Sequence, residues 1–78
     1  HDAKIGDFCT VAPRATILGR VTLRERVFVG GNATILPDVV IDSDTIIGAG
    51  AVVTKNVPSD MIARGVPAKF YERKKITD

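Results

Sequence analysis

Several side chains in this sequence have the types and spacing to do chemistry. His1 and Asp2 are adjacent. An imidazole beside a carboxylate is a ready general base, since the ring titrates near neutral pH and the carboxylate can hold its tautomer and raise its basicity. Cys9 is the single thiol, and His1 is the single histidine. Together they exclude an intrachain disulfide and a Cys/His zinc cluster. Asp38, Asp42 and Asp44 lie close enough together to suggest a cation site. Turn chemistry accounts for them more simply, because aspartate bonds its own backbone in tight corners. Arg14, Arg20, Arg24 and Arg26 are basic without interleaved aromatics, which reads as a solvated face.

What positions these groups is a repeat. Ile5, Val11, Ile17, Leu23, Val29, Ile35, Ile41, Ile47 and Val53 recur at every sixth residue. Val, Ile and Leu make up 21 of the 78 residues, so nine consecutive hits have a chance of roughly 10⁻⁵. A second lane follows four residues behind each anchor: Cys9, Ala15, Val21, Val27, Ala33, Val39, Thr45, Ala51 and Val57, all small or β-branched. A period of six fits neither the 3.6 of an α-helix nor the alternation of a half-buried strand. Short β-branched stretches broken by Gly, Asn, Asp and Pro imply strands separated by turns. The chain therefore winds a solenoid that keeps one aliphatic anchor inside per turn. Cys9 belongs to the small inward lane, where a buried thiol behaves as a small hydrophobe and not as a nucleophile.

The units IGDFCT, VGGNAT and IGAGAV resemble the hexapeptide-repeat acyltransferases. The resemblance implies an all-β fold, a left-handed parallel β-helix of about three rungs over residues 5–22, 23–40 and 41–58. At about 4.8 Å per rung, that stack is about 14 Å tall. Residues 1–58 form the β-helix, and 59–78 are expected as a loop and short helix of the same domain. That helix should run from 68 to 75, with Pro67 at its first position. The closing passage IGAGAVVTKNVPSDMIARGVPAK matches the family's final rung, exit and loop. In such enzymes this part lines an acetyl-coenzyme A cleft between neighbouring subunits. By that likeness Thr10, Gly19, Gly31, Ala49, Lys55, Arg64, Gly65, Pro67 and Lys69 are cofactor-binding positions. The cations would meet the adenosine phosphates, and the small residues would admit the pantetheine arm. His1-Asp2 stands where the sialic acid O-acetyltransferase and UDP-4-amino-sugar N-acetyltransferase branch carries its catalytic base and carboxylate. Some relatives have a second histidine where this chain has Thr10.

The expected activity is acetyl transfer from acetyl-coenzyme A to a hydroxyl or amine of a sugar or nucleotide sugar, with no metal. An alternative is a catalytically incomplete scaffold or trimerisation module lacking its substrate domain. A γ-type carbonic anhydrase on the same fold needs three histidines around zinc, which one histidine per chain does not supply. Net charge is +2, mild enough to suit an anionic small ligand without being a nucleic-acid signature. No apolar run approaches the roughly 18 residues of a membrane span, and no signal peptide is present, which points to the cytoplasm. Opening on His1 and not Met reads as a fragment or a processed chain. So short a chain buries too little surface to stand alone, and with disulfides and zinc excluded, the family's homotrimer is the expected staple.

Overall fold

The computed structural model describes residues 2–73. Nine two-residue strands follow one another at the hexapeptide period: β1 Lys4–Ile5, β2 Thr10–Val11, β3 Thr16–Ile17, β4 Thr22–Leu23, β5 Phe28–Val29, β6 Thr34–Ile35, β7 Val40–Ile41, β8 Ile46–Ile47 and β9 Val52–Val53. Two longer strands follow, β10 Met61–Arg64 and β11 Lys69–Glu72. Each short strand pairs in parallel with the strand one rung away, as in Lys4↔Thr22↔Val40 and Thr16↔Thr34↔Val52. The three faces are β1-β4-β7, β2-β5-β8-β10-β11 and β3-β6-β9. This is the left-handed parallel β-helix that the resemblance implied.

The corners explain the period. Phe8, Arg14, Arg20, Arg26, Asn32, Asp38, Asp44 and Gly50 all have positive φ, between 58° and 72°. Only one of these is glycine, although the left-handed region costs other residues about 1 kcal/mol or more. Stacking holds them there. Each left-handed residue above the first rung donates its N–H to the carbonyl of the corner below, as in Arg26 to Asp7 at 2.9 Å, Asp38 to Gly19 at 3.0 Å and Gly50 to Gly31 at 2.8 Å. Pro13 and Pro37 precede left-handed residues, where their fixed φ suits the first position of the turn.

Both inward lanes are buried in the upper rungs. Ile35, Ile41, Ile47 and Val53 are fully buried, as are Ala33, Thr45 and Ala51. The Thr45 hydroxyl donates to the Pro58 carbonyl at 3.0 Å and so ties the chain's exit to the core. In the first rung Ile5 is 49% and Val11 42% exposed, because each packs against a rung on one side only among the described residues. Cys9 is half-buried against the core, and its thiol donates to the Arg24 carbonyl at 2.9 Å.

The acidic and basic corner residues pair across rungs. Arg20 grips Asp38 with two bonds of 2.6 and 3.0 Å, Arg26 grips Asp44 with two of 2.7 and 3.0 Å, and Arg24 approaches Asp42 at 3.9 Å. Each pair spans one rung. The Asp42 carboxylate also accepts the Ser43 N–H at 2.7 Å, the turn bond expected of it.

The expected helix over 68–75 does not form where the structure describes it. Residues 69–72 are β11, antiparallel to β10 with Met61↔Glu72, Ile62↔Tyr71, Ala63↔Phe70 and Arg64↔Lys69. Residues 74 and 75 lie outside the described part. The physical reason is alternation: Phe70 falls opposite buried Ala63 and packs on the core, while Tyr71 faces outward. An aromatic pair with that alternation, beside the open edge of β10, gains more from a ladder than from one isolated helical turn. Pro67 lies in the connecting turn.

Two outcomes test this architecture. Val29 is fully buried, so Val29→Asp should cost about 4 kcal/mol or more in urea unfolding. The same change at Arg24, which points outward, should cost about 1 kcal/mol or less; equal losses would mean the inward lane is misassigned. The second concerns Asp38, whose carboxyl the Arg20 guanidinium holds below its ordinary 3.8, chiefly through their hydrogen bonds. A carboxylate depressed on folding stabilises above its unfolded pKa and loses that contribution as pH falls through the folded value. An NMR titration should therefore find Asp38 below 3.8 in the wild type and near it in Arg20→Ala, with the ladder weakening only in acid.

Candidate functional site

The expected site residues gather around the β3-β6-β9 face. One edge of that face is the corner stack carrying Pro13, Gly31 and Ala49; the other is the stack carrying Gly19, Pro37 and Lys55. Asp2 stands one rung below Arg20 at the base of the second stack and is exposed. His1 lies outside the described residues.

Backbone is close to the surface along the first edge. A Cβ on Gly30 would lie 2.6 Å from the Ala49 nitrogen, so no side chain fits there and the rungs close up to main-chain contact. Gly31 is half-buried and Ala49 exposed. Among the described residues the N–H groups of Gly19, Gly31 and Ala49 have no protein acceptor. They remain unpaired donors.

The β10–β11 hairpin closes the top of the face. After Val57 the register changes: Val57 bridges Ile41, and the Asn56 side chain accepts the Val40 N–H at 2.8 Å where a strand carbonyl would otherwise stand. The released chain runs through Pro58 to β10, which pairs with β8. The turn beyond β10 is pinned to β9 at two points, with Val52 N–H donating to the Gly65 carbonyl at 3.0 Å and Ala68 N–H donating to the Val52 carbonyl at 2.8 Å. Gly65 has a φ of 101°, which a side chain would oppose. Val66 projects from the tip, 72% exposed, and Pro67 follows it.

This pinning brings Lys69 to Lys55. With Ala68 and Phe70 they line a cavity of about 280 Å³. Arg64 faces outward from the end of β10, its Cζ 4.3 Å from the centroid of the Tyr71 ring. Thr10 is not in this group, since β2 carries it at the far end of the five-stranded face from β10 and β11. The structure thus joins Gly31 with Ala49, and Lys55 with the Gly65–Lys69 turn. It leaves Asp2 and Gly19 across the face and Thr10 at the far end of another one. Sequence reasoning missed Phe70 and Tyr71, which it assigned to a helix; the alternation of Lys69, Phe70, Tyr71 and Glu72 was the available signal.

The arrangement suits a long ligand with amide and anionic parts: bare backbone donors along one edge, cations at the top. Known proteins agree with the fold and sharpen the chemistry. The bacterial transferase hexapeptide (six repeats) family matches residues 20–55. The serine acetyltransferase of Buchnera aphidicola subsp. Acyrthosiphon pisum (strain APS) is 46% identical over 52 residues, covering 67% of this chain and 19% of that protein. Gamma carbonic anhydrase 1, mitochondrial, of Arabidopsis thaliana is 36% identical over 80 residues, covering all of this chain and 28% of that one. The GDP-perosamine N-acetyl transferase of Caulobacter crescentus, solved as a histidine-to-alanine mutant with CoA and GDP-perosamine, superposes with a TM-score of 0.86 at 39% identity, covering 90% of this chain and 33% of that one. The chain therefore spans a fifth to a third of the length of these relatives. With the six-residue period, the three-faced solenoid and these likenesses together, the chain belongs to the hexapeptide-repeat, left-handed β-helix family.

Proposed function

We propose that the chain is the catalytic β-helix of an acetyltransferase that uses acetyl-coenzyme A to acetylate a hydroxyl or amine of a sugar or nucleotide sugar, working as a homotrimer. The observation that carries this reading is the hairpin turn pinned on β9, which sets Lys55 and Lys69 around one cavity at the top of the face, with the unpaired N–H groups of Gly31 and Ala49 along the edge opposite Lys55. A relative solved with CoA and GDP-perosamine supports the same ligand pair.

The residues present fit the cosubstrate. The free N–H groups of Gly31 and Ala49 would take the amide carbonyls of its pantetheine arm, and Lys55, Lys69 and Arg64 would answer its phosphates. When bound, acetyl-coenzyme A would supply the acetyl thioester, and coenzyme A would leave as the thiol with the proton taken from the acceptor. His1 accepts the proton of the acceptor's hydroxyl or amine as that group attacks, and Asp2 orients the imidazole and favours its protonated form. The remaining unpaired N–H, that of Gly19 on the stack that has Asp2 at its base, would offset the negative charge that develops on the acetyl oxygen.

The trimer reading rests on surface as well as size. The outer side of the five-stranded face bears Phe28, Ile46, Ile62 and Tyr71 in one column, with Phe28 and Tyr71 each 42% exposed. A neighbouring copy covering that column would bury its exposed aromatic surface.

Coenzyme A should raise the melting temperature at saturating concentration, and Lys55→Ala with Lys69→Ala should remove most of that rise. No shift in the wild type would favour the scaffold. In the full-length enzyme His1→Ala should lower kcat by about 10²–10⁴-fold with coenzyme A affinity nearly unchanged. Activity in the wild type should fall as pH drops and the imidazole becomes protonated. Wild-type turnover with an intact pH profile in His1→Ala would make the histidine a bystander.

A further inference from the structure

Arg64 and Lys69 stand directly opposite each other in the β10–β11 ladder, so the two cations share the outer face of the hairpin. Like charges in that relation are destabilising. Among the described residues neither has a carboxylate at ion-pair distance, whereas Arg20, Arg24 and Arg26 each have one. The hairpin therefore keeps two uncompensated cations side by side at the top of the site.

Arg64 is held on two flanks. Tyr71 pairs with Ile62, which puts its ring diagonally across from Arg64 on the same face, and the guanidinium carbon lies 4.3 Å from the ring centroid. On the other flank is Gly48, where an added Cβ would come within 3.1 Å of the Arg64 Cβ. Gly48 thus leaves room for the Arg64 Cβ on one side, and the ring lies against the guanidinium on the other. Stacking engages the face of the guanidinium and leaves its N–H edges free to donate. Lys69, beside it, opens toward the cavity shared with Lys55.

We propose that Tyr71 is a positioning residue, whose ring holds the Arg64 guanidinium beside Lys69 so that the two form one preorganised site for a phosphate. This rests on the coenzyme A reading above, and the phosphate is one from the nucleotide end of that molecule. The cross-strand repulsion is then the cost of a pair of cations that the ligand neutralises, and the ring limits the entropy lost when the ligand arrives.

Isothermal titration with coenzyme A across a mutant cycle tests the assignment. Tyr71→Leu keeps apolar cover but loses the ring, and should weaken binding about two- to five-fold, the size of an exposed cation–π contact. Tyr71→Phe keeps the ring and should bind within about two-fold of wild type. Arg64→Lys keeps the charge without the planar stack and should resemble Tyr71→Leu, a check that does not touch Tyr71 itself. The double variant Arg64→Ala/Tyr71→Leu should bind no more weakly than Arg64→Ala alone. A merely structural tyrosine would add its loss in both backgrounds, and that additivity overturns the proposal. So does unchanged affinity in Tyr71→Leu, or a loss in Tyr71→Phe as large as in Tyr71→Leu. A wild type that does not bind coenzyme A at all overturns the cofactor reading first and this assignment with it.

Discussion

Every rung of this protein depends on one repeated contact, the N–H of a left-handed corner residue meeting the carbonyl of the corner beneath it. An isolated hexapeptide would not hold Phe8, Arg14, Arg20 or Arg26 at positive φ, because their side chains disfavour it. Stacked rungs offset that cost with parallel strand bonds on all three faces and with burial of the two inward lanes. The corner bond works only at a constant rise and a constant number of residues per turn, so the six-residue period is a geometric condition and not a compositional habit. The same condition makes each rung a template for the next.

The surface charges follow from that templating. Residues one rung apart share a column, so Arg20 must lie beneath Asp38 and Arg26 beneath Asp44. Exposed pairs of this kind add little to stability in general. Their bidentate geometry is better understood as register control, since a slip of one residue would set each guanidinium against the wrong corner.

What the sequence made legible was whatever repeats. The nine anchors and the small lane fix which side chains enter the core, and the burial of Leu23 through Val57 follows them. The pairing of Arg20 with Asp38 was equally readable from the rung spacing, but charge clusters considered along the chain, and not along a column, suggest only turns and solvated faces. The exit was not legible for a different reason. From Asn56 onward nothing repeats, and local propensity over 68–75 is split between a helix opened by proline and a strand of alternating Lys69, Phe70, Tyr71 and Glu72. The deciding term was tertiary, the vacant edge of β10 and the space over Ala63 that Phe70 fills. Of the expected site, Lys55, Gly65, Pro67 and Lys69 converge, Gly31 and Ala49 adjoin, and Thr10 stands apart at the far end of the five-stranded face.

The division between repeating and non-repeating positions also explains why one fold spans acetyltransferases and a carbonic anhydrase among the relatives. Two positions in each hexapeptide face inward and answer to packing; the other four face outward or turn the corner. Changing those four leaves the core volume alone, so they are free to vary with function. Where they lie is nonetheless constrained, because a column places a chosen residue at a fixed spacing along an edge that is already main chain. Gly30 shows the limiting case: its missing side chain lets the Ala49 backbone close in, and the corner beside it presents peptide donors in place of side chains. Among the described residues the β10–β11 hairpin, by contrast, is a part that the repeat does not dictate.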